Sequence, residues 1–336
     1  MERTERVGEN LNRALHALLA TDDRVCLLGE DLDDPYGGAF KVSRGLSTRF
    51  PERVLSTPIS EAAIVGIAAG LALCGQRPIA EIMFGDFATL CFDQLYNFAS
   101  KSVSMYGRRV PMHLVVRCPV GGNRGYGPTH SQNPQKHFIG IPHLNLFEMS
   151  AFHDNTDVLR RILDLGEPAI LFEDKTLYGQ RAYRHGRVSS LLRFDFLDQN
   201  TARIHVRGSD ECDWVIVATG GTAQRAMDAA EAMLREQELV CQVVIPSRLF
   251  PIDLDAAMPL LARAHRICVL EEGIAGGTWG SEVAAVLHER LWDSLSAPVL
   301  RINSAYDVIP AAPHLEREVI VQVPTIQAAI RGAASV

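Results

Sequence analysis

The most constraining feature of this chain is a repeated alternation of short apolar runs with amphipathic segments. "RVCLLGED", "RPIAEIMF", "VPMHLVVRCP" and "EPAILFED" have the length and β-branched content of buried strands. Between them, "CFDQLYNFASKSVSM" and "TDVLRRILDLG" carry the spacing of helices. Strands that alternate with helices fold as an α/β layer around a mainly parallel sheet. The rhythm breaks from about Lys175 to Asp210, where "YGQRAYRHGRV" and "DFLDQNTARIHVRGSD" are polar and irregular. It resumes with "DWVIVATGG", "TAQRAMDAAEAMLREQ", "LVCQVVIPSRLFPID", "RICVLEEG", "TWGSEVAAVLHERL" and "APVLRINSA". The pattern predicts a first α/β domain over residues 1–180, a linker over 181–210 and a second, smaller α/β domain over 211–336.

Composition narrows the function classes. Of 336 residues, 47% are hydrophobic, enough for a large core, and the net charge of -7 comes without a Lys/Arg block. Nucleic acid and anionic membrane are therefore not expected partners. "MERTERVGENLNRALHALLA" reads as an amphipathic helix without the apolar core of a signal peptide. The longest apolar run, Ile64 to Gly75, falls short of the roughly 20 residues a bilayer requires. Seven scattered cysteines with no CxxC pair suggest reduced thiols and a cytoplasmic protein.

Four places carry candidate chemistry. In "STPISEAAIVGIAAGLALCG", Glu61 heads a helix of small and apolar residues. An acid in a first helical turn is ordinarily dipole compensation, worth about 0.3–1 kcal/mol. This helix, however, reads as buried on almost every side, and a carboxylate at its head then needs a specific partner. In "EIMFGDFATL", Phe84 and Phe87 are either core or a flat platform for a heteroaromatic ring. In the Gly-rich loop "GGNRGYGPTHSQ", His130 is either a surface residue or a general acid/base. The loop follows a strand, where α/β proteins place ligands. In the second domain, "ATGGTAQRA" and "EEGIAGGTWGSE" lack the GxGxxG spacing of a dinucleotide fingerprint and read as close-packing turns.

In order along the chain, "LLGEDLDDPYGGAFKVSRGL", "ERVLSTPISEAAIVGIAAGLALCGQRPIAEIMFGDFATLCFDQLYNFASK" and "THSQ" closely resemble the β subunit of thiamin-diphosphate-dependent 2-oxo acid dehydrogenases. These are the E1 components of the pyruvate, branched-chain and acetoin dehydrogenase complexes. The likeness continues through "VIPSRLFPID" and "EEGIAGGTWGSEVAA" and covers almost the whole chain; "EIMFGDF" and "LFEDKTLY" look nearest to the acetoin type. It implies a pyrimidine-binding transketolase-like domain followed by a transketolase C-terminal-like domain. Glu61 matches the family's acid that hydrogen-bonds N1′ of the aminopyrimidine, favouring its imino tautomer. Phe87 matches the aromatic that packs on that ring, and His130 the active-site histidine near substrate and acyl transfer. Tyr36 lies in a family-like "YGGAFKV" segment at the cofactor entrance.

The resemblance also implies a division of labour. The family's pyrophosphate and Mg²⁺ ligands form a "GDG…NN" motif on an α subunit, and this chain has no such motif. The expected assembly is an α₂β₂ heterotetramer with thiamin diphosphate at each α/β interface and no metal on this chain. It would decarboxylate a 2-oxo acid, or cleave acetoin, and hand the acyl group to a lipoyl E2. The rival is a two-subunit carboligase without E2, passing the same group to an aldehyde or ketone. Departures from the family pattern include His143 in place of Gly, and Leu165 where a monovalent-cation loop carries Asp, with Asp164 one residue earlier.

Overall fold

A computed structural model describes residues 5–334. They divide into two compact units. The first runs up to Gly121 and takes in Gln132–Ala182; the second comprises Gly122–Ser131 and the chain from Tyr183 onward.

The first unit opens with helix α1 (Val7–Thr21), strand β1 (Val25–Glu30), the short helix α2 (Leu46–Arg49), β2 (Val54–Thr57), α3 (Glu61–Leu73) and β3 (Arg77–Glu81). A 3-10 segment (Gly85–Cys91) and a π-helical turn (Gln94–Ala99) lead into α4 (Ser100–Ser102). Then come β4 (Val115–Val120), β5 (Asn145–Glu148), α5 (Asn155–Asp164) and β6 (Ala169–Asp174). These strands lie in the order β5-β6-β4-β3-β1-β2, all parallel. Every residue of β1, β4, β5 and β6 is buried, which is why β1, β4 and β6 read as mainly apolar runs without alternation. α1 packs on α5, burying Leu11, Leu15, Leu159 and Ile162. The first turn of α5 is capped by Asp154, whose carboxylate takes the Thr156 N–H at 2.9 Å. The same carboxylate receives Asn10 Nδ2 at 2.9 Å and Arg13 Nη2 at 2.8 Å from α1.

The central strands share a buried ionic row. Arg117 on β4 pairs with Glu81 on β3 and, through Nε and Nη2 at 2.8 Å each, with Glu173 on β6. Burial pushes the Glu81 carboxyl up, against the pull of Arg117, Ser43 and the Ala39 amide. Burial works against the Arg117 charge as well, but Glu173 and Glu81 together hold it firmly protonated.

The second unit contains β7 (Leu192–Phe196), β8 (Thr201–Val206), β9 (Trp214–Ala218), α6 (Ala223–Gln237), β10 (Cys241–Pro246), the short β11 (Arg248–Phe250) and α7 (Met258–Ala264). It continues with β12 (Ile267–Ile274), α8 (Trp279–Leu291), β13 (Leu300–Ser304), α9 (Pro313–Val319) and α10 (Val323–Ala334). Its sheet runs β13-β12-β9-β10-β8-β7, parallel from β13 to β10 and antiparallel beyond.

Three sequence expectations differ from this fold. Residues 181–210, read as a linker, contain β7 and β8, which pair as a hairpin and extend the second sheet. An antiparallel edge with one wet face alternates polar with apolar, and so looks irregular beside buried parallel strands. The segment Gly122–Ser131 groups with the second unit, so the first is not one continuous stretch. Helix α3 is not buried all round. Ile64, Val65, Ala68, Ala69 and Ala72 are covered, but Ala63 is exposed and Ile67 is 55% exposed. Among the described residues no helix is long and apolar enough to cross a membrane.

Candidate active site

Ser60 has a non-helical backbone and ends β2's exit loop, so α3 begins at Glu61, a residue only 8% exposed. The parallel β1 delivers a second acid to the same neighbourhood. Glu30, its last residue, is buried, and its Oε1 has no hydrogen-bond partner. Burial pushes the Glu30 carboxyl up, and the negative charges of Glu61, Asp31 and Glu81 push it further. Cys91 lies within reach of both acids. Its thiol is driven up to about 12, by burial first and then by Glu61 and Glu30, and so stays uncharged. The Cys91 Sγ donates weakly to the Phe87 carbonyl at 3.9 Å. The 3-10 segment carrying Phe87 packs on α3. Glu61 and Phe87 therefore belong to one neighbourhood, bridged by Cys91.

Phe87 is half-buried and meets Phe84 edge-on, with ring centroids 6.1 Å apart. The Lys175 ammonium sits over Phe84 at 5.6 Å, and Phe84 in turn stands edge-on to Phe40 at 6.0 Å. The Phe84 contact thus gives the ring of Phe87 a fixed tilt. Between these aromatics, Asp86 is buried and takes the Gln132 backbone N–H at 3.3 Å and its Nε2 at 2.9 Å through Oδ1.

Tyr36 is 55% exposed, on a loop tied down by Glu81. Glu81 accepts the Ala39 N–H at 2.6 Å and the Ser43 hydroxyl at 2.7 Å. Gly38 (φ +70°) permits this approach, because a Cβ there would lie 2.4 Å from Glu81 Oε1. The buried ionic row of the central strands thus also shapes the Tyr36 loop.

His130 belongs to the second unit. It is half-buried, with Nδ1 3.0 Å from the Thr129 hydroxyl, and its backbone N–H closes a turn onto Gly127 at 3.4 Å. In the same unit, the first turn of α8 is tied to β12 by the Gly280 N–H donating to Glu271 at 3.0 Å. Among the described residues no group of three or more His, Cys, Asp or Glu could hold a metal ion. Sequence reasoning passed over Glu30 and Asp86. The signals were present, in an acid closing a wholly apolar strand and in one placed directly before the candidate aromatic.

Two family models match the chain: the transketolase pyrimidine-binding domain over residues 6–180 and the transketolase C-terminal domain over residues 202–326. The β subunit of acetoin:2,6-dichlorophenolindophenol oxidoreductase from Bacillus subtilis is 31% identical, over 94% of this chain and 93% of its own. The β subunit of the pyruvate dehydrogenase E1 component from Leifsonia xyli is 35% identical, over 90% of this chain and 87% of its own. A solved structure described as a split-gene transketolase, inactive β4 tetramer, superposes with a TM-score of 0.74 at 20% identity, covering 98% of this chain and 99% of that one. At that identity it speaks to the fold alone.

Proposed function

The chain belongs to the transketolase-type family of E1 β subunits, and from that premise we propose that it is one half of a thiamin-diphosphate-dependent 2-oxo acid dehydrogenase E1. With an α-subunit partner it decarboxylates a 2-oxo acid, or cleaves acetoin, and passes the acyl group to a lipoyl E2. The observation that carries this reading is Glu61, a buried carboxylate heading an apolar helix beside a half-buried aromatic.

The residues present fit the pyrimidine end of the cofactor. Buried Glu61, the tilted phenyl ring of Phe87 and the buried Glu30 Oε1 without a hydrogen-bond partner would suit a planar heterocycle that carries its own N–H donors. Thiamin diphosphate, when bound, supplies the thiazolium that accepts the electron pair left by carbon–carbon cleavage. Glu61 shares a proton with N1′ of its ring. Burial and the charges of Glu61, Asp31 and Glu81 raise the Glu30 carboxyl above its ordinary range, which disfavours a second negative charge beside Glu61. Phe87 fixes the ring plane and keeps water from one face. His130 serves the substrate side as acid/base in acyl transfer, and Tyr36 lines the cofactor entrance.

The α subunit holds the pyrophosphate and Mg²⁺ in an α₂β₂ assembly. Support comes from the uncovered side of α3, where Ile67 is 55% exposed, from Ile59 just before the helix, 80% exposed, and from Leu90 and Phe92, also exposed, in and just after the segment that packs on α3. Exposed large apolar side chains of this kind are what a protein interface would cover. The seven cysteines are all free, which supports a reducing, cytoplasmic setting.

The test is co-expression with the α subunit, followed by assay of 2-oxo acids and acetoin with an artificial electron acceptor. The pair turns over at least one of these, neither subunit alone does, and Glu61→Gln lowers turnover about a hundredfold or more while the pair still assembles. A pair that forms, binds cofactor and acts on neither substrate class would overturn the reading.

A further inference from the structure

The segment that carries His130 has no regular secondary structure. Asn123, Gly125 and Gly127 sit at φ +61°, +70° and +77°. Such a segment holds its shape only if its backbone polar groups are engaged. Here the engagement comes from carboxylates. Glu316, on α9 and 2% exposed, accepts the Arg124 N–H at 3.3 Å and the Gly125 N–H at 3.1 Å. Glu272, at the buried part of β12, accepts the Gly122 N–H at 2.7 Å and is itself ion-paired with Arg225. Gln322 Nε2 donates to Asn123 Oδ1 at 3.1 Å. The fit leaves no slack. A Cβ on Gly122 would fall 2.1 Å from Ile320 Cδ1, and Ile320 is packed with Ile309 and Val319.

We propose that Glu316 is a positioning residue for the candidate catalytic histidine, acting through the backbone amides of Arg124 and Gly125. Charge-assisted hydrogen bonds from backbone N–H groups are the strong kind, and two converge here on one buried carboxylate. From Gly125 the chain runs through Gly127, whose carbonyl receives the His130 N–H. Only a short turn thus separates the clamped amides from the imidazole. A buried carboxylate costs free energy to desolvate. Its retention at this point has a purpose if the segment must present His130 in one orientation, since displacement of an acid/base by about 1 Å lowers rate by up to about a hundredfold. This rests on the reading of His130 given above.

The experiment uses the assembled α–β pair. Glu316→Ala, Glu316→Gln, Glu316→Asp and His130→Ala are compared for turnover, KM and amide hydrogen exchange over residues 122–131. Glu316→Gln keeps one acceptor oxygen and guards against failure of the alanine variant to fold. The expected result is faster exchange confined to this segment in Glu316→Ala and Glu316→Gln, with kcat down about ten- to a hundredfold. KM should stay within about twofold of the parent, and Glu316→Asp should recover part of the loss. The Glu316→Ala, His130→Ala double variant should be no slower than His130→Ala, because one residue acts through the other. Unchanged kcat in Glu316→Ala beside an inactive His130→Ala overturns the proposal alone. Full activity in His130→Ala overturns the histidine assignment, and the proposal falls with it.

Discussion

Arg117 meets Glu173 side-on, with Nε and Nη2 each 2.8 Å from a different carboxylate oxygen, and neither side chain is exposed at all. Tyr178 adds its hydroxyl to Glu173 at 2.6 Å, and Glu81 takes the far side of the guanidinium. One cation therefore serves two buried acids, and the Glu81 end of the row also shapes the Tyr36 loop. Arg117→Met should destabilise the protein by about 3–5 kcal/mol, because it leaves buried carboxylates uncompensated. Chemical denaturation followed by circular dichroism measures this. A loss below about 1 kcal/mol would mean that the row is not held as described.

Glu30 gives a prediction with a definite sign. Its folded-state pKa is raised, by burial first and by neighbouring acids next. The stability it contributes is complete below the ordinary glutamate range, near pH 4, and is lost as pH rises through the higher folded value. Glu30→Gln removes that loss. The variant should match the parent at low pH and become the more stable of the two toward neutral pH, in melting curves recorded across the range. A gap that widens toward acid would contradict the raised pKa.

Asp154 has the opposite sign. Burial raises its carboxyl, but Asn10, the Thr156 amide and Arg13 outweigh that and bring it down to about 2. Its contribution is present above the ordinary aspartate range and is lost as pH falls toward about 2. Asp154→Ala should cost about 1–2 kcal/mol at neutral pH, as a lost helix cap does. The difference from the parent should shrink between about pH 4 and 2. Acid titration of both proteins, monitored by fluorescence, decides it.

Ile67 tests the uncovered side of α3. It is 55% exposed and makes little of the chain's own core, so Ile67→Glu should leave the melting temperature of the isolated chain nearly unchanged. Placed in an apolar contact, the new charge should weaken association with the α subunit at least tenfold, as measured by size exclusion or calorimetry. Undiminished association would move the interface elsewhere.

Much of this molecule is legible in its sequence, for a physical reason. Strands such as β1 and β6 are buried along their whole length, so their composition alone identifies them. β7 and β8 carry half-exposed positions, and their hairpin hides among polar residues. Residues 91–105 read as one helix because apolar spacings of three and four do not separate α from π turns, both of which occur there after a 3-10 segment that ends at Cys91. Glu61 stood out because an acid opens an otherwise apolar helix. The partners of Arg117 did not, since Glu81 lies 36 positions before it and Glu173 lies 56 after. Carboxylates acting through backbone amides, as Glu316 does, leave no motif, because their targets can be any residue type.

The half-covered α3 has a consequence for how such a chain behaves when made in excess. Glu61 and the exposed Ile67 lie on the same helix, so on the reading proposed above recruitment of a mate and completion of the reaction centre are one event. On that reading a surplus copy would be silent as a catalyst yet conspicuous to the machinery that clears unassembled proteins. Supply of the two halves can then be matched by removal of orphans, without any switch on the chemistry itself.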